Sequence, residues 1–148
     1  MRYFEDFKVG DEAEFGGYEV TREEIVDFAS KYDPQPFHLS DEGARGSIFK
    51  RLCASGWHTC AMTMRMMVDH MKESDTPSLG SPGIDEIRWR QPVYPGDILR
   101  VRGKVIGLKA SESRPAIGFV KNSYEVINQR REVVMSFIGN GIFPRRPA

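Results

Sequence analysis

The stretch SGWHTCAMTMRMMVDHMK, residues 55–72, decides the fold class. Its apolar side chains recur at steps of three and four residues, which places them on one face of an α-helix. This face comprises Trp57, Cys60, Ala61, Met64, Val68 and Met71, with Arg65, Asp69 and Lys72 on another face. The pattern predicts a long helix whose broad, methionine-rich face packs against a large apolar surface.

Four strand-like segments after this helix supply such a surface. They cover residues 87–93, 98–108, 117–127 and 133–143, and turn-forming residues separate them. In the second segment Leu99, Val101 and Val105 share one face, as alternation along a strand requires. Because helices come first and hairpin-linked strands follow, we expect an α+β fold, with an antiparallel sheet wrapped around the long central helix.

The residues before the central helix predict an extended arm followed by a shorter helix. Thr21 is placed to cap this helix, and Glu24, three residues later, completes a capping-box pattern. Pro34 and Pro36 are expected to end it, because proline lacks a backbone donor and biases the preceding residue toward extended geometry.

Length and charge exclude several classes of protein. The 148 residues suit a single domain spanning 1–148, and the formal net charge of zero argues against a dedicated nucleic-acid binder. No apolar run is long enough for a membrane span, and acidic residues interrupt the region where a signal peptide would be apolar. We therefore expect no membrane partner and a cytoplasmic location. Cys53 and Cys60 match no zinc pattern, so two reduced thiols and no metal site are expected.

The segment from Asp33 to His38 carries the first candidate chemistry. Two prolines stiffen the turn between the carboxylate and the imidazole, so both side chains can point at one spot. Histidine titrates near neutral pH, and a neighbouring carboxylate can orient it or share its proton transfers. Taken alone, the spacing is also typical of an ordinary surface turn.

The second candidate is the start of the central helix, at Ser55 and Gly56. The first backbone N–H groups of a helix lack partners within the helix and lie at the positive end of its dipole, so they can bind a carbonyl oxygen or an oxyanion. A glycine needed only for tight helix entry explains the pattern equally well. Together with an acid/base pair, however, this helix start points to proton transfer next to a carbonyl group.

The sequence resembles the MaoC-like dehydratase family, which includes the (R)-specific enoyl-CoA hydratases and has the hot-dog fold. The family motif is Asp-x-Asn-Pro-x-His, and residues 33–38 read Asp-Pro-Gln-Pro-Phe-His, with Gln35 in place of asparagine. Residues 90–97 are similar to the family signature Arg-x-Pro-Val-x-Pro-Gly-Asp. Ser55 stands where the family often has histidine, and Met64 where some members have serine.

The resemblance implies a hydratase or dehydratase acting at the C2–C3 double bond of an enoyl thioester such as an enoyl-CoA. Asp33 and His38 would activate water, the Gly56 N–H would polarise the thioester carbonyl, and Gln35 and Ser55 would orient the dyad or substrate. It implies no metal or redox cofactor, with the CoA thioester serving as substrate. It also implies a homodimer or higher homo-oligomer.

Several alternatives remain open at this point. The strand arginines Arg88, Arg90, Arg100 and Arg102 suit the phosphates of CoA, but alternating charge is also typical of a solvated sheet face. The methionines of the central helix suit either an acyl tunnel or core packing. A hot-dog thioesterase and a non-catalytic acyl-thioester-binding subunit are the competing functions. The sequence does not identify the acyl group or its carrier.

Overall fold

The first helix begins with the predicted cap, in a computed structural model that describes residues 1–148. Strand β1 comprises Glu12–Glu19 and helix α1 Arg22–Tyr32, and the Thr21 hydroxyl oxygen accepts a hydrogen bond from the Glu24 N–H at 3.2 Å. The Glu24 carboxylate does not return to the cap. Both of its oxygens accept instead from the Tyr18 hydroxyl, so the predicted capping box is only half formed.

After the short helix α2, Asp41–Ala44, the central helix α3 comprises Gly56–Glu73, which confirms the predicted helix but corrects its buried face. The side chains buried beneath it are His58, Thr59, Met62, Thr63 and Met66. Trp57, Ala61 and Met64, predicted to be buried, are exposed. Thr63 can occupy the buried stripe because its hydroxyl donates to the Thr59 carbonyl at 2.8 Å. The apolar side chains that recur along the helix therefore lie on a different face from the one buried in the core.

All five strands form one antiparallel sheet in the order β1-β3-β4-β5-β2, which confirms the predicted α+β class. The four strands that follow α3 are β2 Gly80–Trp89, β3 Ile98–Ala110, β4 Ile117–Ile127 and β5 Val133–Pro144. Strand β2 begins earlier than predicted, within a stretch whose Gly80 and Gly83 have positive φ angles and whose pairing with β5 is irregular. An edge strand tolerates such glycines and Pro82, because one side of its backbone needs no partner.

The main core lies between α3 and one face of the sheet, and α1 contributes a buried side chain to it. Leu99 and Val101 of β3 and Ile25 of α1 are completely buried there, next to Met62 and Met66 of α3. Burial of side chains of this size contributes roughly 1.5–3 kcal/mol each. None of the helices combines the length and apolar character needed to cross a bilayer.

Candidate active site

The loop after α1 brings Asp33 and His38 together. Asp33 directly follows the last residue of α1 and its N–H donates to the Ala29 carbonyl at 2.8 Å, so it still belongs to the helix end. A short 3₁₀ turn, Pro36–His38, then reverses the chain. As a result, the Nε2 atom of His38 lies 3.5 Å from the Oδ2 atom of Asp33. The two predicted side chains thus share one site.

Two hydrogen bonds hold the Asp33 carboxylate from opposite sides. The Ser55 hydroxyl donates to Oδ2 at 2.7 Å, and the Gln35 amide donates to Oδ1 at 2.6 Å. Burial raises the pKa of Asp33, but these two hydrogen bonds and the neighbouring His38 outweigh it, so the pKa is lowered overall. Asp33 is therefore an ionised carboxylate at neutral pH.

The imidazole of His38 is fixed by the backbone on its other side. Its side chain is 7% exposed, and Nδ1 lies 2.7 Å from the Cys53 carbonyl oxygen. Because a carbonyl oxygen only accepts hydrogen bonds, Nδ1 must carry a proton. In the neutral ring, Nε2 is then unprotonated and faces Asp33. Two proton acceptors, Nε2 and Oδ2, thus point toward the same small volume.

The start of α3 offers two free backbone donors beside this pair. Ser55 precedes the helix, but its hydroxyl is bonded to Asp33 and does not cap the helix. The N–H groups of Gly56 and Trp57 form no hydrogen bond within the chain. With the positive end of the helix dipole, they can bind a carbonyl oxygen.

Trp89, which no sequence motif marks as part of the site, explains why residue 56 is glycine. A Cβ atom on residue 56 would lie 2.5 Å from the Trp89 ring, and the indole N–H donates to the Gly56 carbonyl at 2.9 Å. Trp57 packs edge-on against the same indole, with ring centroids 5.3 Å apart. The free face of Gly56 therefore receives a protein side chain. The sequence signal that could have indicated this packing is a tryptophan at the end of strand β2.

The four candidate arginines do not converge. The guanidinium of Arg100 bonds to Glu14 at 3.2 Å and that of Arg102 to Glu125 at 2.9 Å, so both are neutralised on β3. Arg88 and Arg90 form no ion pair and lie on or just after β2, which is separated from β3 by two strands, or about 14 Å. The structure thus divides the predicted set: Arg88 and Arg90 have no carboxylate partner, and their guanidinium groups donate instead to the Ile87 carbonyl at 2.9 Å and the Ser136 hydroxyl at 3.0 Å.

An apolar cleft of about 430 Å³ runs along α3, between the helix and strands β2, β4 and β5. It begins at Cys60, one helical turn after Gly56, and ends near Met71. Its walls carry no Asp, Glu, Lys or Arg side chain. The main apolar side chains lining it are Met64, Met67, Ile84, Ile87, Tyr124 and Phe137. Part of the predicted methionine face thus lines this cleft.

A sequence model of the MaoC-like domain family matches residues 6–129. The chain belongs to this family. The crystal structure of the MaoC-like dehydratase from Rhodospirillum rubrum is 38% identical and superposes over 100% of both chains with a TM-score of 0.88. This agrees with the resemblance expected from residues 33–38 and 90–97.

Two further comparisons bear on the fold and the chemistry. Rv0216 from Mycobacterium tuberculosis, described as having a double hot-dog fold, matches 99% of this MaoC-like chain and 45% of its own, at 18% identity and a TM-score of 0.80. The fold of the chain is thus the hot-dog fold. A mesaconyl-CoA hydratase from Cereibacter sphaeroides is 45% identical over 56 residues, which are 38% of this chain and 16% of that enzyme.

Proposed function

We propose that this MaoC-like protein adds water to, or removes it from, the C2–C3 double bond of an enoyl thioester. The observation that carries the proposal is the 3.5 Å approach of His38 Nε2 to Asp33 Oδ2, next to the unpaired N–H of Gly56. Acid/base groups beside a carbonyl-binding donor are what this reaction needs. The name of the mesaconyl-CoA hydratase supports a CoA thioester as substrate.

In the hydration direction, a water molecule donates hydrogen bonds to His38 Nε2 and Asp33 Oδ2. One of the dyad acceptors takes a proton as the water oxygen bonds to C3. The electron pair of the C2–C3 double bond moves toward the thioester carbonyl, whose oxygen gains negative charge. The Gly56 N–H stabilises that charge. C2 then receives a proton from the dyad, so that one water molecule has been added across the double bond.

Gln35 and Ser55 orient the Asp33 carboxylate in this mechanism, because each donates to a different oxygen atom.

We propose that the reaction uses no metal or redox cofactor. No electrons leave the substrate, and the charge that a Lewis acid would neutralise develops on an oxygen next to backbone donors.

The acyl group is proposed to lie in the uncharged cleft along α3. The cleft begins one turn beyond Gly56 and continues in line with the helix, so an acyl chain bound at the helix start can extend into it. The phosphates of CoA are assigned to Arg88 and Arg90, the members of the predicted set that form no ion pair.

We also propose that the chain, as one hot-dog unit, pairs with a second copy through β2. The outer edge of β2 has no strand partner, and large apolar side chains surround it. Trp57 is 60% exposed, Ile84 48%, Met64 47% and Trp89 46%. Pairing along this edge would cover them and continue the sheet.

Two signals recorded on the same sample test the proposed reaction. Enoyl thioesters absorb light through the conjugated double bond, so hydration lowers this absorbance without releasing a thiol. A thioesterase releases free thiol, and a binding subunit changes neither signal. Neutral short and medium-chain substrates should be compared with mesaconyl-CoA. Thiol release as the main product, or no reaction with any of them, would contradict the proposal.

A further inference from the structure

His58 is a buried histidine that the proposed mechanism does not use. Its side chain is 6% exposed, and its ring stacks on Phe28 with centroids 4.7 Å apart and an interplanar angle of 8°. Nε2 lies 3.8 Å from Glu24 Oε1, while Nδ1 is buried and has no hydrogen-bond partner. An unpartnered buried nitrogen is costly, which indicates that something other than polar pairing retains the ring here.

The ring lies between the two helices that carry the proposed site. Glu24 and Phe28 are one turn apart on α1, and Asp33 follows directly after the last residue of that helix. His58 is in the first turn of α3, and its N–H donates to the Ser55 carbonyl at 2.9 Å. The stack therefore spans the gap between α1, which ends just before Asp33, and α3, which begins at Gly56.

We infer that His58 is a positioning residue, which sets the spacing between the end of α1 and the start of α3 through its stack on Phe28. This inference rests on the proposed function for its effect on turnover. The Ser55–Asp33 hydrogen bond, at 2.7 Å, crosses the same gap, so a shift of either helix would lengthen it. Such shifts should slow the reaction strongly, since a misplacement of the reacting groups by about 1 Å can reduce the rate about 100-fold.

The surrounding groups keep the His58 ring neutral and oriented. Burial lowers the pKa of His58, and the nearby Glu24 offsets only part of this effect. From β1, the Tyr18 hydroxyl donates to both Glu24 oxygens, and burial followed by this carboxylate raises the pKa of Tyr18 to about 12. Arg65 of α3 acts on Tyr18 in the opposite direction. A neutral ring suits a spacer, because its stack does not require protonation.

The chain provides a matched control at the other end of α3. His70 also stacks on an aromatic ring, that of Phe15, with centroids 4.1 Å apart and an angle of 1°. It lies about four turns away from Gly56 and does not line the apolar cleft along α3. His70→Ala therefore removes a comparable stack without touching the α1–α3 gap.

The test compares His58→Ala, His58→Phe and His70→Ala. In His58→Ala we expect kcat to fall about 10- to 100-fold with KM little changed, because the reacting groups are displaced while the cleft is intact. Phenylalanine retains a flat ring against Phe28, so His58→Phe should recover most of the lost kcat. His70→Ala should retain the wild-type kcat. If His58→Ala does not fold, His58→Leu, which fills the volume without a flat ring, takes its place.

A second readout needs no substrate. Loss of the Ser55 hydrogen bond should raise the pKa of Asp33, measured by carbon-detected NMR, in His58→Ala but not in His70→Ala. If the wild type hydrates no enoyl thioester, the proposed function is wrong. The Asp33 pKa measurement would still test whether His58 positions the two helices. A lowered melting temperature with unchanged kcat and an unchanged Asp33 pKa would show a merely structural role and overturn the inference.

Discussion

The two ends of α3 make the same kind of aromatic contact, but they differ in whether their terminal backbone groups are hydrogen-bonded. At each end a histidine stacks on an aromatic ring from another element, His58 on Phe28 and His70 on Phe15. At the C-terminal end the backbone carbonyls are occupied, since the Ser74 N–H and hydroxyl both donate to the His70 carbonyl. At the N-terminal end the Gly56 and Trp57 N–H groups remain free beside Asp33 and His38. Available backbone donors and a neighbouring dyad, more than residue type, distinguish the candidate site.

The largest expected effect tests the difference between the two ends directly. Asp33→Asn and His38→Ala should each lower kcat/KM by ~10²- to 10⁴-fold, because each removes a positioned proton acceptor. Steady-state hydration of an enoyl thioester measures this, with circular dichroism to verify the fold. His70→Ala, at the other end, should stay within about 2-fold of wild type. Equal losses in all three variants would remove the functional distinction between the ends.

The next effect concerns the free donors. In Gly56→Ala the new Cβ would meet the Trp89 ring at 2.5 Å, so either the indole or the helix start must shift. We expect turnover to fall about 10- to 100-fold. This loss is smaller than the loss of about 10²- to 10³-fold that follows complete removal of an oxyanion donor. Kinetics and a thermal melt measure the two consequences. Gly46→Ala is the control, since nothing lies within 4 Å of that position. Normal turnover in Gly56→Ala would argue against an oxyanion role for this N–H.

A smaller effect should separate the acyl cleft from the reacting end of the helix. Met67 lines the cleft about 17 Å beyond Gly56 along the helix axis. In Met67→Trp we expect kcat/KM for a 2-tetradecenoyl thioester to fall about 10-fold, because its extended chain is long enough to reach this position and the larger ring fills the space that the chain needs. A crotonyl thioester is too short to reach this position and should react normally. If both substrates are affected equally, the acyl group does not extend along α3.

The smallest effect is on stability and applies to both ends. Burial is the largest cause of the lowered pKa of His58 and of His70. A histidine with a lowered pKa in the folded state favours unfolding once the pH falls below its unfolded value of about 6.5, because the unfolded chain then binds more protons. Melting temperatures between pH 7.5 and pH 5 should therefore fall less in His58→Phe and His70→Phe than in the wild type. Parallel curves for all three proteins would contradict this.

Asp33 has the opposite linkage to pH. Its pKa is lowered in the folded state, so its contribution to stability is present above its unfolded value and is lost only as the pH falls through the lower folded value. Its effect therefore lies at more acidic pH than that of the histidines, and the two can be separated in the same set of melts.

Much of the fold was predictable because its signals are local. The helix at Gly56–Glu73 follows from periodicity, strands β3 to β5 from alternation between turns, and the Thr21 cap from a single hydroxyl before a helical stretch. The start of β2 was not predictable in this way. Gly80 and Pro82 are typical of turns, and only the position of β2 at the sheet edge lets a strand include them.

The candidate site was likewise predictable only in part from the sequence. The stiff turn from Asp33 to His38 and the glycine at the start of α3 were visible as patterns within a few residues. The Ser55–Asp33 hydrogen bond, the packing of Trp89 on Gly56 and the role inferred for His58 join residues 22 to 33 positions apart. No local pattern predicts such contacts, because they depend on how separate elements pack.

The sequence by itself determined the elements, their order and the chemical groups available at two short motifs, because backbone propensity and side-chain periodicity act over a few residues. Tertiary structure decided which face of α3 is buried, which arginines are neutralised by Glu14 and Glu125, and which backbone donors stay free. These outcomes depend on strand order and helix packing, which bring together side chains that are far apart along the chain.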